Sequence, residues 1–233
     1  MKKESDSIIY SPSDLIRYLA SPFASWLDRY NLENPGKIKP DEETEEQTLL
    51  SRTGDEHEQS ILTSYKASTS VIEIPKGNFA TAHAATLAAI KDKTPIIYQA
   101  ALQDGVFAGY ADFLELDTSG KYQVWDTKLA LSPKPHYPIQ LCCYSEMLAA
   151  TTGQEMPERI GVILGNEQRI EFRVEDFIHY YRHIKNSFIA MQTAFSGSMD
   201  DCPEPLPRAE HGRWSSYAES FFLDKLLSTS LFI

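Results

Sequence analysis

Residues 96–130 carry three strand patterns in direct succession, and this run limits the fold more than any other feature. Residues 96–117 (IIYQAALQDGVFAGYADFLELD) read as two strands joined at Asp104-Gly105, a strong hairpin signal. Residues 118–130 (TSGKYQVWDTKLA) add a turn and a third strand. Consecutive strands without helices between them break a regular βαβ alternation, which disfavours a doubly wound fold. Helical spacing predicts helices on both sides of the run. A capped segment over about 11–30 is split by Pro22, a helix runs over about 45–66, and an Ala-rich helix covers 81–93 after a short strand at 71–75. Downstream, a helix over 135–153 stops at Gly153, two strands fall within 159–174, and an amphipathic helix covers 174–195. The tail reads as irregular up to a short helix near 215–227.

A chain of 233 residues with 42% hydrophobic and 24% charged residues suits one large α/β domain. No apolar run approaches the roughly 20 residues that span a bilayer. The N-terminus lacks the apolar core of a signal peptide, so a cytoplasmic protein is expected and no membrane partner. The three cysteines include adjacent Cys142 and Cys143 and form no CxxC pair, which argues against a disulfide framework and excludes a four-cysteine metal site. A net charge of −11 counts against a surface that grips nucleic acid over its whole extent. It leaves room for an acidic metal site flanked by a local basic strip, with weak binding by the domain alone.

Asp112 and Asp126 lie inside otherwise apolar strands, where charge is costly unless paired or bound to a cation. Asp126 and Lys128, two apart on a strand, share one face. With Asp112 on a neighbouring strand, the three would form a carboxylate pair beside an ammonium. Carboxylates and water suit Mg²⁺ or Mn²⁺, which polarise a phosphate and lower the pKa of bound water. Lys128 can orient that water or offset developing charge. Taken alone, an Asp-x-Lys tripeptide reads first as a surface ion pair, and a single helical histidine such as His57 reads first as structural. Gln140 and Tyr144, four apart, share a helical face.

Together these features resemble the RecB-type branch of the PD-(D/E)xK nucleases. The matching segments are Gly54-Asp55-Glu56-His57, Gly109-Tyr110-Ala111-Asp112, Trp125-Asp126-Thr127-Lys128 and Gln140 through Tyr144. The opening YSPSDLIRYLASP, the run from WDTKLA to YPIQLCCYSEML and the tail CPEPLPRAEHGRW are similar to a bacterial group of RecB-like nucleases often joined to a helicase. The resemblance covers nearly the whole chain. It implies an α/β fold with a restriction-endonuclease-like core, a central mixed β-sheet flanked by helices. It also implies a single domain over 1–233, whose N-terminal helical segment (about 1–45) and C-terminal tail (about 200–233) pack near each other.

By the same resemblance His57, Asp112, Asp126 and the carbonyl of Thr127 are metal ligands, and Lys128 is the catalytic lysine. Gln140 and Tyr144 position DNA or support the site. Glu58 fits this scheme less well, because it points about 100° from His57 around the helix. Many relatives clasp an iron–sulfur cluster with four cysteines, but the matching positions here are Ser21, Ala209, Gly212 and Ala218. No such cluster is therefore expected, and packing must join the chain ends instead. The implied activity is Mg²⁺- or Mn²⁺-dependent hydrolysis of DNA, as single strands or duplex ends, in repair, recombination or defence. A helicase partner or fused helicase region would fit. The alternatives are a non-cleaving module that binds DNA or a helicase, and a nuclease acting on RNA.

Overall fold

The structure, a computed structural model, describes residues 1–4 and 7–230, and of residues 228–230 only the backbone. The last three residues of the expected tail lie outside the described residues. A short antiparallel ribbon, β1 (Lys2–Glu4) and β2 (Ser7–Ile9), opens the chain. Neither of these two strands is predicted from the sequence. Helices α1 (Pro12–Ala20) and α2 (Pro22–Glu33) each begin with Ser-Pro. The Ser11 and Ser21 side chains accept from the backbone N–H groups of Asp14 and Ala24, and proline occupies a first-turn position that needs no donor. Ser21 thus ends one helix and caps the next, which is the break expected at Pro22.

Helix α3 (Glu45–Ser68) starts with a reciprocal Thr44–Gln47 capping box. It turns Gly54, His57, Glu58, Ile61 and Leu62 inward, at the spacing of one helical face. Then come β3 (Val71–Glu73), α4 (Phe79–Lys91), β4 (Ile96–Asp104), β5 (Phe107–Leu116), β6 (Tyr122–Lys128) and α5 (Tyr137–Thr152). The chain continues through β7 (Arg159–Leu164), β8 (Arg169–Arg173), α6 (Ile178–Thr193) and α7 (Ser215–Ser230). Gly153, at φ 66°, takes the left-handed conformation that stops α5.

The six strands β3 to β8 lie side by side in sequence order. The β4–β5, β5–β6 and β7–β8 pairs are antiparallel hairpins. The β3–β4 and β6–β7 pairs are parallel, and each is joined through a helix, α4 or α5, as parallel neighbours require. The result is a mixed sheet flanked by helices, the α/β architecture of a restriction-endonuclease-like core. One sheet face packs Leu114, Val124 and Val162 against Leu141, Cys142 and Met147 of α5. Burial pushes the thiols of Cys142 and Cys143 up to about 12, so both act as apolar filling. The other face packs Phe113, Trp125 and Ile163 against Ile61 and Leu62 of α3.

A separate apolar cluster joins the chain ends. Trp214, fully buried, packs with Phe23, Trp26, Leu27 and Tyr30 of α2 and with Ala218 of α7. Its indole N–H donates to Asp28 Oδ1 at 2.8 Å, and Arg213 closes an ion pair on the same oxygen at 2.7 Å. Ser21 Oγ and His211 Nδ1, both buried, are hydrogen-bonded at 2.8 Å. Of Ser21, Ala209, Gly212 and Ala218, Ser21 and Ala218 therefore lie inside a packed joint.

Candidate active site

The β5–β6 ladder runs from Leu116 opposite Tyr122 to Phe113 opposite Trp125, and there it ends. One step further the same register would set Asp112 opposite Asp126. Instead the Thr127 N–H donates to Asp112 Oδ2 at 2.8 Å, and the Thr127 hydroxyl donates to it at 3.0 Å. A carboxylate has taken the place of a backbone acceptor, so the strands part. Meanwhile β6 stays paired with β7 through Lys128. On its other side Asp112 is also skipped. The β4–β5 ladder pairs Tyr98 with Phe113 and Ala100 with Ala111, while Gln99 between them adopts a left-handed backbone at φ 55°. Such conformations cost about 1–3 kcal/mol and cluster at functional sites.

Into this fork project the acidic groups. Asp126 is buried, and the part-buried Asp112 carboxyl lies within hydrogen-bonding reach of it. Burial, then the Asp126 charge and its hydrogen bond, then Glu58, push Asp112 well above the usual carboxylate range, against the pull of the Thr127 N–H. The pair thus holds a proton readily. Lys128 Nζ stands 2.5 Å from Asp126 Oδ2 in an ion pair whose angles fall short of a hydrogen bond. Burial alone would lower the Lys128 pKa; Asp126 and then Asp112 outweigh it, so the net shift is upward and the ammonium persists. The same ammonium lies 5.5 Å from the centroid of the Tyr137 ring.

Tyr144 and Gln140, one turn apart on α5, divide their positions. Tyr144 is buried, and burial followed by the Asp126 and Asp112 charges holds its phenol strongly protonated. Gln140 lines a cleft together with Lys128. Thr127, whose carbonyl is the expected ligand, donates its amide and hydroxyl to Asp112. His57 faces inward from α3, and its Nε2 is buried with no hydrogen-bond partner among the described residues. Its neighbour Glu58 also belongs to the inner face. Glu58 Oε1 accepts from Tyr98 Oη at 2.6 Å and from Gln99 Nε2 at 2.5 Å. The left-handed Gln99 thus delivers its amide to Glu58, and Glu58 acts on Asp112 through its charge.

Among the described residues no three His, Cys, Asp or Glu side chains close into a metal-binding group. The chemistry of the donors nevertheless fits a hard divalent cation. Two oxygen ligands converge in a desolvated fork, crowded enough to retain a proton, and one buried imidazole nitrogen faces inward without a partner.

Sequence reading alone did not single out Tyr98, Gln99 or Tyr137, and it placed Glu58 at the margin. Gln99 offered the signal that marked Asp112, a polar residue inside an apolar strand. Glu58 offered another, because Gly54, Ile61 and Leu62 share a face wide enough for both 57 and 58. Tyr137 offered none.

No family model matches the chain, and no curated protein matches it. Among solved structures, the protein described as SSO0001 aligns over 87% of this chain and 85% of its own, at 16% identity and a TM-score of 0.38.

Proposed function

We propose that this chain is a cytoplasmic, metal-dependent phosphodiesterase that hydrolyses DNA, of the RecB-like PD-(D/E)xK kind. The observation that carries the reading is the parted β5–β6 ladder, where Asp112 and Asp126 meet with Lys128 on the Asp126 side. Asp112 and Asp126 would hold Mg²⁺ or Mn²⁺, with His57 on the inner face of α3 as the further expected ligand. When bound, the cation polarises a scissile phosphate and lowers the pKa of a coordinated water. The rest falls to the protein. Asp126 fixes the Lys128 ammonium, and Tyr137 stacks under it, so a positive charge stands ready for the charge that develops on phosphorus oxygens. Thr127 holds Asp112 in place, and Glu58, held by Tyr98 and Gln99, adds negative potential on the α3 side.

The test is cleavage of single-stranded DNA, duplex DNA and RNA in Mg²⁺, in Mn²⁺ and in EDTA. DNA should be cut with either metal and left intact in EDTA. A parent protein inert on all three would favour the second reading, a non-cleaving module that binds DNA or a helicase, for which the net charge of −11 speaks. Faster cutting of RNA would reassign the substrate. Purified protein should also be colourless and free of stoichiometric iron, since Ser21, Ala209, Gly212 and Ala218 offer no thiolate. Iron bound at one cluster per chain would contradict that.

A further inference from the structure

The cleft that Gln140 and Lys128 share extends away from the carboxylates, with a volume of about 740 Å³. One wall is α1, another is the Lys134–His136 segment ahead of α5, and a third is the tail at Arg208–Glu210. The cleft's charge opposes that of the chain as a whole. The sequence holds 22 Lys and Arg against 33 Asp and Glu. The cleft is lined by Arg17, Lys128, Lys134 and Arg208 against Glu210 alone. Lys134 and Arg208 are exposed, and among the described residues neither has an ion-pair partner. An acidic protein that leaves cations unpaired in one concave place has a site for an anion there.

Its size and course narrow the anion. Clefts of about 300–1,000 Å³ enclose a drug-sized molecule, which corresponds to a few linked nucleotides and not to a duplex. The cleft reaches Lys128, whose ammonium is paired with Asp126, so one end of whatever lies in it comes to the Asp126 side of the pair. Burial, then Lys134 and Lys128, lower the His136 pKa, which leaves a neutral ring on the wall against which a base can stack. The tail wall is held in place. Arg17 lies so close to Gly212 that a Cβ there would come 2.2 Å from its Nη1, and Gly212 takes φ 57°. Two residues before the buried His211, Ala209 lines the cleft.

We propose that this cleft is the channel for a single nucleic-acid strand, with Lys134 and Arg208 as phosphate contacts and the C-terminal tail as one wall. The inference rests on the nuclease reading for its direction toward Lys128, but it is tested by binding alone. The probe is a short fluorescein-labelled oligothymidylate, followed by anisotropy in EDTA with the full chain. Lys134→Glu, Arg208→Glu and the double variant are compared with the parent and with Lys91→Glu, which lies on α4 outside the cleft. The double variant should bind about tenfold more weakly or worse, and each lost contact should flatten the slope of log K against log salt by about 0.7. Lys91→Glu should match the parent, and an unlabelled duplex should compete less well than the unlabelled single strand. Both substituted side chains are exposed, so melting temperatures should hold. An unchanged affinity and slope in the double variant would overturn the proposal. So would equal competition by duplex, or a parent that does not bind at low salt. A parent that binds through these residues yet never cuts with Mn²⁺ would remove the nuclease reading and leave the channel. A parent that cuts, with a double variant that binds and cuts equally well, would do the reverse.

Discussion

Asp126→Ala should abolish metal-dependent cleavage, and Lys128→Ala should slow it by about 10²-fold or more. The two effects have different origins. Asp126 is the buried carboxylate of the fork and would be a direct ligand, so its loss removes the cation. Lys128 stays protonated beside Asp126 and would act on developing charge, where one preorganised donor is worth about 10²–10³ in rate. Its loss should therefore leave metal affinity, measured by calorimetry with Mn²⁺, largely intact. Asp112→Asn adds a stability readout that a purely structural carboxylate would not give. The folded-state pKa of Asp112 is raised, so the folded protein binds its proton more tightly than the unfolded chain does. Metal-free stability is then gained as pH falls through the folded value and is complete below the unfolded value of about 3.9; above the folded value the charged group weighs against folding. Asp112→Asn should accordingly melt higher than the parent in EDTA at neutral pH, with the gap closing on acidification, while cleavage is lost. Equal cleavage by the parent and all three variants would point to a contaminating nuclease. A lower melting point for Asp112→Asn at neutral pH would contradict the crowded-pair account.

What the sequence made legible follows from what each segment buries. The hairpin at Asp104-Gly105, the helix stop at Gly153 and the break at Pro22 are local backbone chemistry, and all three stand where turn and cap residues put them. The parallel β3–β4 and β6–β7 pairs are less local. They follow from helices α4 and α5 crossing between strands that themselves look antiparallel in order, and only the family resemblance pointed to a mixed sheet. The site was legible in its charged members. Asp112, Asp126 and Lys128 stood out because ionisable groups in apolar strands need a reason. The positions that hold them did not stand out. Gln99's left-handed backbone is a property of one residue between two ladders, and no pattern at its position announces it. Glu58 was hidden by its neighbour, because a helix face about 100° wide admits both 57 and 58 and only the packing of Ile61 and Leu62 decides how far it rotates. The joint between the chain ends was legible as a need, since four expected ligands are replaced, but not as a solution.

That solution makes Trp214→Ala a strongly damaging change outside the fork. The indole is fully buried against α2 and α7, and removing such a side chain costs about 3–5 kcal/mol through lost burial and the cavity left behind. Its N–H to Asp28 is lost as well, although Arg213 still pairs with that carboxylate. The joint does not stand apart from the rest of the domain. Gln192 of α6 is buried and bonds Arg29 of α2, while Phe188 of the same helix belongs to the main core. Loosening the ends should therefore lower the stability of the whole. For a chain of this size about 2–4 °C is lost per kcal/mol, so a fall of roughly 6–20 °C is expected in a thermal melt. Trp214→Phe, which keeps most of the packing and gives up the donor, should lose much less. If packing and not a cluster joins the ends, iron chelators should leave the parent's melting curve unmoved, because no metal contributes binding energy to the folded state there. A shift below about 2 °C in Trp214→Ala would mean that the tail docks by other contacts. Because Arg208 and Ala209 lie a few residues before Trp214 and line the cleft, the same substitution should also weaken single-strand binding. Arg208→Glu should weaken that binding without moving the melt, which separates a displaced wall from a missing charge.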